Sequence, residues 1–131
     1  MTTPLLLVGI MASFLALTGF LRYREQKIAK TRSGLGFDDF VAYFSGEDIP
    51  MYKLREVYEY FQNWQSVKNF PVLPGDDLYK VYGIYDEDVD DAVIELADRW
   101  RAKLPPTFEG LEPVRTVADI VHLLNQLPQG K

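Results

Sequence analysis

The apolar positions of this chain form one long block at the start and short helical stripes afterwards. The block, Pro4 to Leu21, holds eighteen residues without a charged side chain, and Arg22 begins a basic segment. As a helix, eighteen residues rise roughly 27 Å, close to the roughly 30 Å thickness of a bilayer's hydrocarbon core. The pattern therefore predicts one N-terminal transmembrane helix.

A cleavable secretory signal is the alternative interpretation of the same block. Such a signal carries positive charge before its apolar run and a small-residue cleavage site after it. Here residues 1–4 have no charged side chain, and the cations follow the run instead: Arg22, Arg24, Lys27, Lys30 and Arg32. We therefore favour a retained anchor in the cell membrane, and the positive-inside rule places its N terminus outside and the rest of the chain in the cytoplasm.

Small side chains recur along the predicted anchor at spacings that place them close to one helical stripe: Gly9, Ala12, Ser13, Ala16 and Gly19. Small residues let helix backbones approach closely within lipid, where packing drives association. The stripe is a candidate packing face for an integral membrane partner. The alternative is that glycine is simply frequent in membrane helices.

Past the anchor, the apolar spacing indicates helices. Residues 22–32 either continue the anchor helix or form a flexible tether. A short helix follows, with apolar side chains at i, i+3, i+4 and i+7: Phe37, Phe40, Val41 and Phe44. A longer stripe runs from Leu54 to Trp64, with Asp48 as predicted cap and Pro50 in the first turn.

Two more helices complete the prediction. One begins in the acidic run 86–91 and ends at Trp100, and the last begins at Thr116, which has an acid three residues later. After the stripe that ends at Trp64 and before the helix that begins in the acidic run, we predict one irregular turn within residues 76–82. No stretch alternates with period two for long enough to form a strand, so the predicted fold class is all-α.

Charge divides the chain into two parts. Residues 1–33 hold five Lys/Arg and one acid (+4), and residues 34–131 hold nine Lys/Arg and eighteen acids (−9), which together give the net charge of −5. We predict a transmembrane anchor with a basic juxtamembrane segment (1–33) and a cytoplasmic helical domain (34–131). A basic segment suits a bilayer with anionic headgroups. The acidic domain makes nucleic acid an unexpected partner, and the lack of cysteine excludes disulfides and thiolate metal sites.

About residues 50–127 resemble the acyl carrier protein family. The order of long helix, Pro/Gly-bearing loop, acidic-started helix, Pro-rich connection and Thr-capped helix is that of its four-helix fold. The segment 76–83 looks like the family's approach to its carrier site, the twenty-three residues 83–105 match its usual spacing, and 114–121 is similar to its last helix. The resemblance implies a small helical bundle behind the anchor.

The chain departs from the family at the residue that carries the chemistry. Counted from Gly83, the position of the phosphopantetheine serine is occupied by Asp86, with Glu87 in place of the following leucine. A carboxylate cannot accept the phosphodiester linkage, and the nearest serine in sequence, Ser66, lies twenty residues upstream. We therefore expect no bound cofactor.

The acidic run 86–91 allows three interpretations. A calcium loop requires alternating acids, a central glycine and a final glutamate, which are missing, and a catalytic carboxylate pair lacks a neighbouring nucleophile or histidine. Favourable charge at a helix N terminus, together with an acidic surface, requires nothing further. Carrier proteins dock on basic patches through their acidic second helix, so the resemblance implies a partner-facing surface: Asp88, Asp90, Asp91, Glu95 and Asp98.

The other candidates favour structural roles. His122 is the only histidine, so a metal site is not expected, and Trp64 and Trp100 end apolar stripes as core or core-edge residues. We expect a non-enzymatic accessory or interaction subunit of a larger membrane protein complex, without catalytic residues. The alternative is noncovalent binding of an acyl chain or lipid between the helices, near this set of apolar residues: Val89, Val93, Leu96 and Leu124.

Overall fold

The computed structural model describes residues 2–130, with side chains from Leu6 onward. Every regular element in that part of the chain is a helix: α1 (Thr2–Thr31), α2 (Phe37–Tyr43), α3 (Met51–Trp64), α4 (Leu78–Tyr82), α5 (Asp86–Trp100) and α6 (Val117–Gln126). The predicted all-α class is confirmed. The outer limits of the two predicted parts, residues 1 and 131, lie outside the described residues.

Helix α1 is a single element of 30 residues. From Leu6 to Thr31 it is long and apolar enough to cross a membrane, with a best-window mean hydropathy of 1.7 and none of that window buried. The basic segment continues the helix to Thr31, so it is not a flexible tether. The chain then turns through Gly34, whose positive φ of 89° suits glycine, and enters α2.

The core of the domain lies between α3 and α5, with α2 and α6 packed beside them. The helices bury most of the apolar positions that their spacing predicts, and Phe40, Phe61, Leu96 and Ile120 are fully buried. Trp64, expected at the core or its edge, is 44% exposed. Burying a large apolar side chain stabilises a fold by about 1.5–3 kcal/mol relative to leaving it exposed. Trp100 also satisfies its indole by donating from Nε1 to the Lys53 carbonyl oxygen (2.9 Å).

Two local predictions are wrong. Asp48 does not cap α3, since the helix begins at Met51 and its N-cap is Pro50, with an extended ψ of 140°. The residue before a proline is disfavoured in the helical region, which keeps the preceding chain outside the helix. Residues 76–82 hold a regular short helix, α4, because Asp77 accepts hydrogen bonds from two backbone N–H groups at its start.

The start of α6 is confirmed as a reciprocal cap. Thr116 Oγ1 accepts from the Asp119 N–H, and the Asp119 carboxylate accepts from the Thr116 N–H (3.0 Å). The backbone ahead of this cap bonds to α4, where the Leu78 N–H donates to the Arg115 carbonyl oxygen (2.9 Å). The irregular connection between α5 and α6 is thereby held against the rest of the domain.

Candidate functional site

The acids predicted to face a partner lie on the outer side of α5. Its inner side is apolar and buried, from Val89 to Trp100, whereas all five acids are exposed: Asp88, Asp90, Asp91, Glu95 and Asp98. At 100° per residue, four of them form one stripe, and Asp90 lies at the opposite edge of the exposed surface. We call the four residues of the stripe, Asp88, Asp91, Glu95 and Asp98, the acidic face.

One member of the acidic face already has a cationic neighbour. Arg99 donates from Nη2 to Glu95 Oε1 (2.8 Å) and lies 3.4 Å from Glu56 Oε2 on α3. The hydrogen bond with Glu95 raises the pKa of Arg99. Among the described residues, Asp88, Asp91 and Asp98 have no ion-pair partner. These three aspartates therefore carry the charge available to a basic partner.

The position that corresponds to the carrier family's modified serine holds a carboxylate. Asp86 is the first residue of α5, and its side chain is exposed. Ser66 belongs to a different contact, since its Oγ donates to Glu25 Oε2 of α1 (2.6 Å). The position of the family's serine thus offers a carboxylate and no serine hydroxyl for a phosphodiester linkage.

A groove of about 450 Å³ lies beside Asp90, between α5 and the connection that precedes α6. Its walls combine apolar and charged side chains: Val89, Val93, Phe108, Leu111, Val114, Leu123, Asp86, Asp90, Glu112 and Arg115. Leu96 and Leu124, which we grouped with Val89 and Val93 as an acyl-chain site, are fully buried in the core and do not line it. The structure thus brings together only half of that set at a surface.

The small residues of the anchor lie on a helix surface that nothing in the described chain covers. All five are exposed: Gly9, Ala12, Ser13, Ala16 and Gly19. A Cβ atom placed on Gly9 or Gly19 would meet no atom within 4 Å apart from its chain neighbours and the backbone of its own helix. Close approach within this chain therefore does not require glycine at either position.

The basic half of α1 packs against the domain, which the sequence analysis did not predict. Glu25 accepts from the Ser66 hydroxyl and from the backbone N–H groups of Ser66 and Val67 (3.2 and 3.3 Å). The preceding residue, Arg24, donates from Nη2 to the Lys80 carbonyl oxygen (2.6 Å). Ile28 and Ala29 pack against the core between these polar contacts and Arg32.

Arg32 anchors the end of α1 in a buried polar cluster. Its guanidinium donates to both carboxylate oxygens of Asp76 (2.8 Å from Nη1 to Oδ2) and to the Pro71 carbonyl oxygen (2.9 Å). Asp76 Oδ2 also accepts from the Tyr82 hydroxyl (2.7 Å). Burial, and then the charge of Asp76, raise the pKa of Tyr82 far above its usual value, which keeps the hydroxyl protonated as a donor.

The sequence does contain a signal for this contact. Glu25, Ile28, Ala29 and Arg32 lie at i, i+3, i+4 and i+7, the spacing of one helix face. The two charged ends of this face hide it in a scan for apolar stripes. Arg32 pairs with Asp76, which lies 44 residues later in the sequence. A local pattern does not identify a partner at that distance.

His122 pairs with a carboxylate. Its Nε2 lies 3.0 Å from Glu47 Oε1, and its ring packs edge-on against Phe44 (5.8 Å between centroids). In the described part of the chain, no group of three or more metal-ligating side chains comes together.

Comparisons of the chain with protein-family models, with curated proteins and with solved structures find no match. The resemblance to acyl carrier proteins therefore stays a prediction. The function is inferred instead from the acidic face, the small-residue stripe and the docking of α1 on the domain.

Proposed function

We propose that this protein is a non-enzymatic, single-pass accessory subunit of a membrane protein complex. In this proposal α1 crosses the cell membrane with its N terminus outside, and the domain from residue 34 onward lies in the cytoplasm. The small-residue stripe packs on a membrane helix of the partner, and the acidic face docks on its basic cytoplasmic side.

The docking of α1 on the domain is the observation that carries this proposal. One continuous helix has an uncovered apolar half and a basic half that is fixed to the domain by Glu25 and by Arg32, the residue directly after the helix. A domain held in this way presents its acidic face at a set height and orientation relative to the bilayer. That arrangement suits contact with a neighbouring membrane protein better than a free tether would.

The same contact favours a retained anchor over a removed signal. The helix residues that bond to the domain begin at Arg24, three residues after the apolar block ends at Leu21. Cleavage just after the block would cut into a helix that the fold uses. The five cations that follow the block support the proposed orientation.

Native co-purification tests the accessory-subunit proposal. Full-length protein is isolated from its own membranes in mild detergent, and its intact mass and that of each stoichiometric companion are measured. We expect an uncleaved chain together with integral membrane subunits. A covalent adduct or a bound lipid without protein companions would instead support a carrier or acyl-binding function.

Charge variants test the acidic face. Neutralising Asp88, Asp91 and Asp98 to asparagine should reduce companion recovery severalfold, because rim charges steer association. The matched control neutralises three exposed acids elsewhere, Asp38→Asn, Asp48→Asn and Glu109→Gln. Equal recovery of companions by both triple variants would remove the acidic face from the proposal.

Bulk variants test the anchor face. Gly9→Leu and Gly19→Leu add bulk at positions that no other part of the described chain covers, so a loss of companions would indicate contact with a partner helix. Met11→Phe adds bulk on the other side of α1 as the control. Loss of companions with Met11→Phe but not with the glycine variants would contradict packing through the small-residue stripe.

A further inference from the structure

A cleft lies between the basic half of α1 and the loop that contains residues 67–71. It has a volume of about 700 Å³, and its polar lining includes the side chains of Tyr23, Lys27, Lys30, Arg32, Ser33 and Asn69. Every charged residue in the described lining is a cation. The cleft therefore has the opposite sign to the remainder of the domain, where residues 34–131 carry −9.

Two lysines carry the charge that is available in the cleft. Arg32 is committed to Asp76, whereas Lys27 and Lys30 are both exposed. Three residues apart on α1, they are neighbours on one face of the helix. Two ammonium groups on flexible stems can approach a single phosphate as point charges.

The position of the cleft along α1 places it near the headgroup layer of the bilayer. Lys27 lies six residues after Leu21, or about 9 Å along the helix axis, and helical side chains lean back toward the N terminus. The headgroup layer extends roughly 5–8 Å beyond the hydrocarbon core on each side. The Lys27 ammonium thus reaches the level of lipid phosphates, with the amphipathic Tyr23 at the interface.

We propose that this cleft binds the headgroup of an anionic phospholipid from the cytoplasmic leaflet, with the phosphate between Lys27 and Lys30. The inference rests on the proposed placement of α1 across the membrane, but not on the accessory-subunit function. A bound headgroup would add a lipid-dependent contact at the junction of anchor and domain. It would also favour the orientation in which the acidic domain is held away from the anionic surface.

Lipid binding to the purified full-length chain tests the proposal. The chain in neutral-detergent micelles is titrated with phosphatidylglycerol or with phosphatidylcholine, and lipid adducts are counted by native mass spectrometry. We expect about tenfold tighter retention of phosphatidylglycerol by the wild-type chain. The double variant Lys27→Gln, Lys30→Gln should lose this preference, and Lys27→Arg, Lys30→Arg should keep it.

The matched control removes the same charge outside the cleft. Arg22→Gln, Lys103→Gln neutralises two exposed cations that do not line the cleft, one of them nearer the membrane than Lys27. If this control still prefers phosphatidylglycerol, the result supports a defined site. If both glutamine variants lose the preference equally, the basic segment attracts anionic lipid in general, and the proposed site is overturned. Equal retention of the two lipids by the wild-type chain would also overturn the proposal.

A soluble anion is the competing occupant. Glycerol 3-phosphate and inorganic phosphate are added separately to chain already loaded with phosphatidylglycerol. Displacement only at large excess supports a lipid site, and displacement at concentrations comparable to the lipid would overturn it in favour of a solute site. Thermal unfolding of each variant confirms folding, and the intact mass separately reports any loss of the anchor.

Discussion

At the scale of single residues, the buried charge of Asp76 decides how the anchor joins the domain. Its side chain is only 3% exposed and is surrounded by donors from Arg32, Tyr82 and the Leu73 N–H. No buried side-chain polar atom among the described residues lacks a partner, so this cluster is fully satisfied. Removing one partner of the ion pair between Arg32 and Asp76 leaves an uncompensated charge inside the protein.

We therefore predict that Arg32→Met destabilises the protein by about 3 kcal/mol, because it leaves the Asp76 carboxylate buried without its cation. The expected fall in the midpoint of thermal unfolding exceeds about 10 °C for a domain of this size. Tryptophan fluorescence of the full chain in neutral-detergent micelles gives the measurement. Arg22→Met, at an exposed arginine on the same helix, is the control.

A second variant separates charge from packing. Asp76→Asn combined with Arg32→Met should recover part of the lost stability, because a neutral amide costs less to bury than a carboxylate. If the two substitutions simply add, the ion pair is not what stabilises the junction between α1 and the domain.

At the scale of elements, the helices show what periodicity can and cannot predict. Apolar residues spaced three and four apart locate α2, α5 and α6, because a helix that packs on a core must present one apolar side. The short α4 has only Leu78, Val81 and Tyr82 at this spacing, which is too few residues to identify a helix. Its start depends on the Asp77 cap, so it appeared in the sequence only as an irregular turn.

The cap of α6 gives a pH prediction. Burial alone would raise the pKa of Asp119, but hydrogen bonds from the backbone of Arg115 and Thr116 and from the Thr116 side chain lower it overall. The folded-state pKa then lies below the unfolded value of about 3.9. The stabilising contribution is complete above that value and is lost as the pH falls through the folded-state pKa.

We expect Asp119→Asn to be less stable than wild type at pH 7, and the difference to shrink as the pH falls below about 4, in thermal unfolding of the full chain. Thr116→Ala should cost about 1 kcal/mol at neutral pH, and Thr116→Ser, which keeps the accepting oxygen, should cost much less. A difference between Asp119→Asn and wild type that stays constant from pH 7 to pH 3 would contradict the assigned ionisation.

At the scale of the whole molecule, the relation between anchor and domain is the part that sequence alone left open. The uncharged block and the cations after it predict a membrane-crossing helix by length and composition. They do not predict that Glu25 and Arg32 reach residues 41 to 44 positions away, because those partners are adjacent only in the folded chain. The acidic face, by contrast, follows from α5 alone, since burial of one side exposes the other.

Membrane topology is the last prediction, and the absence of native cysteine makes it direct to test. Single cysteines are introduced as Thr2→Cys, before the apolar block, and Ser45→Cys, at an exposed position after α2. With a membrane-impermeant maleimide, Thr2→Cys should react in intact cells and Ser45→Cys only after permeabilisation, because the cations after Leu21 stay on the cytoplasmic side.

Leu15→Cys, in the middle of the apolar block, is the control that should resist labelling until detergent is added. The reverse pattern at the two outer positions would mean the opposite orientation. If the mass of the labelled Ser45→Cys chain were that of a chain without the apolar block, the block would be a removed signal. In that case α1 would begin close to the residues that bond to the domain, and both the anchor and its lipid cleft would have to be abandoned.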